Sequence, residues 1–257
     1  MNTYEKHILN IKQIYPQSIE ISQPAVRGFA HDLYIVKTAQ NDKIVCRFAS
    51  KTTAEHDLYV SKLLNSNGIT VPDISLCNFG EEYCETYPLI AGKTLYERIH
   101  SGISHEKLDN VYNQLFQISY KMAQIPYEFS EKVSVPLTAK TAIIFCKLLN
   151  SGTVGLGHTD LIAKNILLDD SDNICALLDL DSVYPESMSF VIINMLREAR
   201  HYGYDIRKLI PLCDKNHIKP RLLGIAPQAK IYSAAKSLGE MIFGEFMIKQ
   251  ILKLKVK

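Results

Sequence analysis

Apolar residues in the first part of the chain come in short runs, and the runs carry a β signature. Ile19 to Ile21 is one. Asp32-Leu33-Tyr34-Ile35-Val36 is richer in β-branched and aromatic side chains, Asn41-Asp42 marks a turn, and Lys43-Ile44-Val45-Cys46-Arg47-Phe48 follows. This pattern predicts an antiparallel meander. A helix is expected from Thr52 to Asn65, with Thr52 or Thr53 as N-cap, Glu55 in the first turn, and Leu58, Leu63 and Leu64 on the apolar face. Gly68 closes it and Val71-Pro72 forces an extended exit. Ile74 to Phe79 and Tyr83 to Leu89 then return as two more strands.

Beyond Thr94 the period changes. Leu108, Val111, Leu115, Ile118 and Met122 recur at alternating steps of three and four, the spacing of an amphipathic helix. Further helices are expected over Ala139 to Leu149, Ser187 to Tyr202 and Gln228 to Lys253. The change near Ala91-Gly92 divides the chain into a small α/β lobe, residues 1–91, and a larger helical lobe, residues 92–257.

Composition narrows the class. Of 257 residues, 47% are hydrophobic and 22% charged, an ordinary globular balance that excludes a disordered chain. A net charge of +2 with dispersed signs lacks the basic excess of a dedicated nucleic-acid binder. Lys249, Lys253, Lys255 and Lys257 read as a solvated helix end. The six cysteines form no Cys-x-x-Cys pair, and several lie in apolar runs, so they read as reduced core residues. The first residues have no apolar signal core, and no segment is long and apolar enough to cross a bilayer. The chain therefore reads as soluble and cytoplasmic, with no membrane partner.

One segment concentrates chemistry. Gly157-His158-Thr159-Asp160 leads through Lys164-Asn165 into the apolar run Ile166-Leu167-Leu168, and a polar turn at Asp170 to Asn173 returns it as Ile174-Cys175-Ala176-Leu177. Asp160 and Asn165 precede one strand, and Asp179 and Asp181 follow the other. Pairing the strands as a hairpin brings those ends together, so that three carboxylates and an amide converge. Phosphoryl transfer needs such a set: oxygen ligands for Mg²⁺, and a separate carboxylate to orient a hydroxyl and take its proton.

His-x-Asp, then Asn five residues after the Asp, an apolar run and Leu-Asp-x-Asp resembles the signature of the aminoglycoside phosphotransferase and choline kinase group, distant kin of the protein kinases. The resemblance implies a two-lobed α+β protein-kinase-like fold, a small antiparallel-sheet lobe binding ATP (or GTP), and a helical lobe carrying catalysis and substrate. It implies that the γ-phosphoryl group passes to a hydroxyl of a small molecule of aminoglycoside, choline or homoserine type. In this pattern Asp160 is the base, Asn165 and Asp179 hold Mg²⁺, Asp181 is a second metal contact or an orienting acid, and His158 braces the loop.

The first lobe extends the resemblance. Arg47 stands where kinases carry a basic residue that touches the α- and β-phosphates, and Glu55 on the next helix is expected to pair with it. Arg27-Gly28-Phe29-Ala30-His31-Asp32 would turn over the phosphates, with the single glycine Gly28. Glu85-Thr86-Tyr87-Pro88-Leu89-Ile90-Ala91-Gly92 resembles the hinge, where the backbone of Glu85 and Tyr87 would meet the adenine edge. Thr159 departs from the family, which usually has Gly there. Two other readings use the same scaffold: a protein kinase acting on a protein substrate, and a nucleotide-binding pseudokinase. The first lacks the glycine-rich loop and an Ala-Pro-Glu segment after Asp181; the second leaves Asp160, Asn165 and Asp179 without a purpose.

Overall fold

A computed structural model describes residues 2–24, 32–126, 154–205 and 208. Gly28, the expected helices over Ala139–Leu149 and Gln228–Lys253, and the terminal lysines lie outside the described residues. The chain divides into two compact units, with the division after Ala91.

The first unit begins with a helix that the strand pattern did not foretell. In α1 (Thr3–Ile14), Asn2 and Glu5 form a reciprocal capping box, and Ile11 is fully buried while Ile8 and Ile14 pack beside it. Five antiparallel strands follow: β1 (Ser18–Ser22), β2 (Asp32–Thr38), β3 (Lys43–Ser50), β4 (Ser75–Asn78) and β5 (Glu82–Pro88), in the spatial order β1-β2-β3-β5-β4. The inward positions of the central strands, Tyr34, Val36, Cys46, Phe48 and Cys84, join Ile11 in one core. Each large apolar side chain buried there stabilises the unit by about 1.5–3 kcal/mol. His7 of α1 stacks on Phe48 at 3.8 Å and approaches the Tyr34 hydroxyl at 3.1 Å, so the helix is tied to the sheet by a polar ring as well as apolar contacts.

Between β3 and β4 runs α2 (Lys51–Ser66). Its N-cap is Ser50, whose hydroxyl accepts from Thr53 N–H, rather than Thr52 or Thr53. The early start sets which residues face inward: Ala54, Asp57, Ser61 and Leu64 share one stripe and are buried.

The second unit carries β6 (Lys93–Thr94), α3 (Leu95–His100), α4 (His105–Ala123), β7 (Val154–His158), β8 (Ile166–Leu168), β9 (Ile174–Leu177), β10 (Val183–Ser187) and α5 (Met188–His201). In α4 the residues Leu108, Val111, Leu115 and Met122 are buried along the predicted face. Strand β7 passes close to both α4 and α5. A Cβ on Gly155 would stand 2.1 Å from the Ala123 carbonyl oxygen, and one on Gly157 2.6 Å from the Val191 side chain. Those two glycines let the strand lie against the helices. Among the described residues no helix is long and apolar enough to cross a membrane.

Candidate active site

Strands β8 and β9 form the hairpin that the apolar runs predict, with Ile166 opposite Leu177 and Leu168 opposite Ile174. All three residues of β8 are buried, so the hairpin is anchored by its own side chains. Its open end is extended by Leu178 N–H, which donates to the Asn165 carbonyl at 2.9 Å. This places Asn165 opposite Leu178, with Asp179 the next residue along the chain, although fourteen positions of sequence separate Asn165 from Asp179.

Asp160 is tied into the same end. The Asn165 amide nitrogen donates to the Asp160 carbonyl oxygen at 2.9 Å and to its carboxylate at 3.1 Å. A carbonyl only accepts, so the amide must face Asp160 through its nitrogen, and Oδ1 becomes the other, acceptor face of Asn165. An oxygen donor there suits a hard divalent cation such as Mg²⁺.

His158 holds the loop from beneath. It is buried, its Nε2 lies 2.7 Å from the Leu178 carbonyl, and its Nδ1 accepts from Asp160 N–H at 3.3 Å. Both bonds are met only by the neutral ring protonated on Nε2. Burial pushes the His158 pKa below its ordinary value, against the raising influence of the Leu178 carbonyl and of Asp160 and Asp181. From α5, Glu198 accepts from Ala163 N–H at 3.2 Å, while Lys164 reaches over the Tyr96 ring of α3 at 5.3 Å.

Asp179 is exposed and has a left-handed backbone, φ 65° and ψ 63°. A non-glycine residue there costs on the order of 1 kcal/mol, and Asp tolerates it better than most. Asp181 lies in the 3₁₀ turn Leu180–Ser182 that follows. Strand β10 then pairs with β7, His158 opposite Val183, so both segments carrying the acids leave adjacent strands.

In the first unit Arg47 is buried and its partners differ from the expectation. Its Nη1 pairs with Asp57 and with both carboxylate oxygens of Glu85, at 3.0 and 2.9 Å. Glu55 instead is exposed and faces Lys51 at 3.9 Å, one turn earlier on the same helix. The cause is helical phase. Asp57 shares the inward stripe of Ala54, Ser61 and Leu64, and Glu55 points roughly 160° away from it. Counting inward positions from the N-cap would have found Asp57.

Glu85 is also corrected. It stands inside the sheet, opposite Arg47 on β3 and Leu76 on β4, so its backbone groups turn toward neighbouring strands and not toward a nucleobase. Tyr87 lies one position past the last β4 pair and is matched only with Val45 in the strand registers. The four described cysteines, Cys46, Cys77, Cys84 and Cys175, are free thiols, and burial pushes those of Cys77 and Cys175 up, keeping them protonated.

No protein-family model and no curated protein matches the sequence. Solved structures do. The gentamicin–APH(2")-IIa complex superposes with a TM-score of 0.63 at 12% identity, covering 100% of this chain and 97% of that one. The GDP complex of wild-type aminoglycoside 2'-phosphotransferase-IIIa gives 0.61 at 14% identity, over 98% and 97% of the two chains. ADP-bound aminoglycoside phosphotransferase APH(2'')-Ib gives 0.56 at 14% identity, over 100% and 93%. With nearly the whole of both chains matched, the protein has the α+β, kinase-like fold of the aminoglycoside phosphotransferases.

Proposed function

We propose that this protein is a phosphotransferase that moves the γ-phosphoryl group of ATP or GTP to a hydroxyl of a small molecule in the cytoplasm. The observation that carries this is the junction of Asp160, Asn165 and Asp179 at one end of a hairpin, in a chain whose structural neighbours include ADP and GDP complexes. Free cysteines fit a reducing compartment.

Asp160 accepts the proton of the acceptor hydroxyl. Its carboxylate is half-buried and is oriented by the Asn165 amide and, through its own backbone, by His158. Asn165 Oδ1 and the Asp179 carboxylate would hold Mg²⁺, which would supply positive charge to neutralise the phosphates. Among the described residues no three His, Cys, Asp or Glu side chains gather into a metal cage, and an ion ligated largely by phosphate and water needs none. Asp181 serves as a second metal contact or an orienting acid. Arg47, held in place by Asp57 and Glu85, is the basic residue that would meet the phosphates, and Tyr87 would border the nucleotide. Gentamicin in a neighbour's complex supports a polyhydroxylated, cationic acceptor, with choline- and homoserine-type alcohols as the other members of the class.

Purified protein incubated with γ-labelled ATP or GTP, Mg²⁺ and a panel of aminoglycosides, amino alcohols and metabolite extract tests the reading. Label should enter a small-molecule fraction, and chelation of Mg²⁺ should stop it. Label confined to protein would favour a protein kinase. Nucleotide binding without any transfer would leave a pseudokinase.

A further inference from the structure

Two segments carry the acids of the site: the loop from His158 to Asn165, and the 3₁₀ turn Leu180–Ser182 with the residue before it. The ladder between β7 and β10 ends at His158 and Val183, just short of both. Past that point the connection is made by hydroxyls. Thr159 N–H donates to the Ser182 carbonyl at 2.9 Å, and Thr159 Oγ1 lies 3.0 Å from the same oxygen. The Tyr184 hydroxyl lies 2.8 Å from Thr159 Oγ1.

The direction of this chain of bonds is settled by proton count. Thr159 has one hydroxyl proton and a carbonyl only accepts, so Thr159 donates to Ser182 and Tyr184 donates to Thr159. Ser182 in turn donates from its own hydroxyl to Asp181 at 3.3 Å. The relay thus runs from Tyr184 through Thr159, the residue before Asp160, to Ser182, the neighbour of Asp181. Tyr184 is suited to a permanent donor's role: burial pushes its hydroxyl pKa up, and the charges of Glu186, Asp160 and Asp181 push the same way against the Thr159 bond.

We propose that Thr159 and Tyr184 are a positioning pair for phosphoryl transfer, setting the separation of Asp160 from the Asp179–Asp181 turn through the Tyr184–Thr159–Ser182 relay. The inference rests on the assignment of Asp160 as the base. In this role the pair acts through the acids rather than on the substrate. Its loss should therefore lower kcat by a larger factor than it raises the nucleotide KM, because misplacing a reacting group costs rate first, while a shift of the Asp179 turn also weakens the hold on metal and nucleotide.

The test is Mg²⁺-dependent turnover of ATP, and of GTP in parallel, with water as acceptor so that no acceptor need be known. Tyr184→Phe and Thr159→Val should each lower kcat about ten- to a hundredfold, the range for a displaced catalytic group, with a smaller rise in the nucleotide KM. Thr159→Ser keeps the hydroxyl and should restore most of the rate, and the double variant should be no slower than Thr159→Val alone, as members of one relay are not additive. Thermal melting separates a folding defect from this, and should Tyr184→Phe fail to fold, the Val and Ser variants of Thr159 still decide. Near-wild-type kcat in both single variants, losses that multiply, or a Thr159→Ser variant as slow as Thr159→Val would overturn the pair. Asp160→Asn is run alongside. If it is inactive while Tyr184→Phe is fast, only the pair fails; if it turns over like wild type, the base assignment fails and the pair with it.

Discussion

The two ends of the β8–β9 hairpin use the same residue type in opposite ways. At the turn end Asp172 has a left-handed backbone, φ 63°, and is buried; Arg98 and Lys107 grip its carboxylate at 2.8 and 2.6 Å. Neighbouring Asp169 caps the turn by accepting from Ser171 and Asn173 N–H, and Gln114 of α4 binds the Ile174 N–H. At the open end Asp179 is also left-handed, φ 65°, but exposed, and the carboxylate of Asp160 takes an amide rather than a cation. One end spends its charge inside the protein. The other leaves Asp179 exposed and gives Asp160 an amide partner, an arrangement that makes sense where an external cation and a hydroxyl are to be handled.

The largest effect expected is on rate. Asp160→Asn should reduce phosphoryl transfer by about 10²–10⁴-fold, the usual contribution of a general base, with nucleotide affinity and melting temperature nearly unchanged. Asp172→Asn should do the reverse: activity per folded molecule stays, and urea denaturation shows a loss of about 1–3 kcal/mol, less than for a fully buried pair because Lys107 and Arg98 reach solvent. Equal behaviour of the two variants would erase the distinction between the ends.

The same contrast recurs in the first unit. Arg47→Leu strips two buried carboxylates of their shared cation and should cost about 3–5 kcal/mol. Glu55→Gln, at an exposed pair with Lys51, should cost about 0.3–0.5 kcal/mol or less. A large loss from Glu55→Gln in urea denaturation would restore it as a partner in the interior.

Backbone strain gives a smaller and sharper test. Asp179→Gly should be about 1 kcal/mol more stable than Asp179→Ala, since glycine accepts a left-handed φ and alanine does not. Both should lose Mg²⁺-dependent nucleotide binding in calorimetry. Unchanged metal dependence would remove Asp179 from the site.

The last effect is in pH. The folded-state pKa of His158 is lowered, so the unfolded chain binds its proton first as pH falls. Its contribution to stability is complete above the ordinary His value, about 6.5, and is lost below it, by at most about 1.4 kcal/mol per pH unit. His158→Gln should flatten that part of the stability–pH curve between pH 7 and 5; an unchanged slope would mean the neutral ring is not what the loop requires.

Short-range order was legible in the residues themselves. Alternating runs marked β2, β3 and β5, the three-and-four spacing marked α4, and paired apolar runs across a polar turn marked the hairpin that joins Asn165 to Asp179. These depend on periodicity and turn chemistry, which the local sequence determines. Helix α1 was equally local, since Asn2-x-x-Glu5 precedes Ile8 and Ile11, but a strand-first pattern hid it. The partners of Arg47 were a different matter. Asp57 over Glu55 depends on where α2 begins, and that is settled by Ser50 capping it straight off the end of β3. Glu85 joins them because β5 lies beside β3 in the sheet, with Glu85 opposite Arg47. The link from Tyr184 through Thr159 to Ser182 likewise needs β10 to return alongside β7. The phase of α2 follows from its local cap once the end of β3 is known, whereas contacts between strands far apart in sequence follow from strand order in three dimensions, which no local pattern encodes.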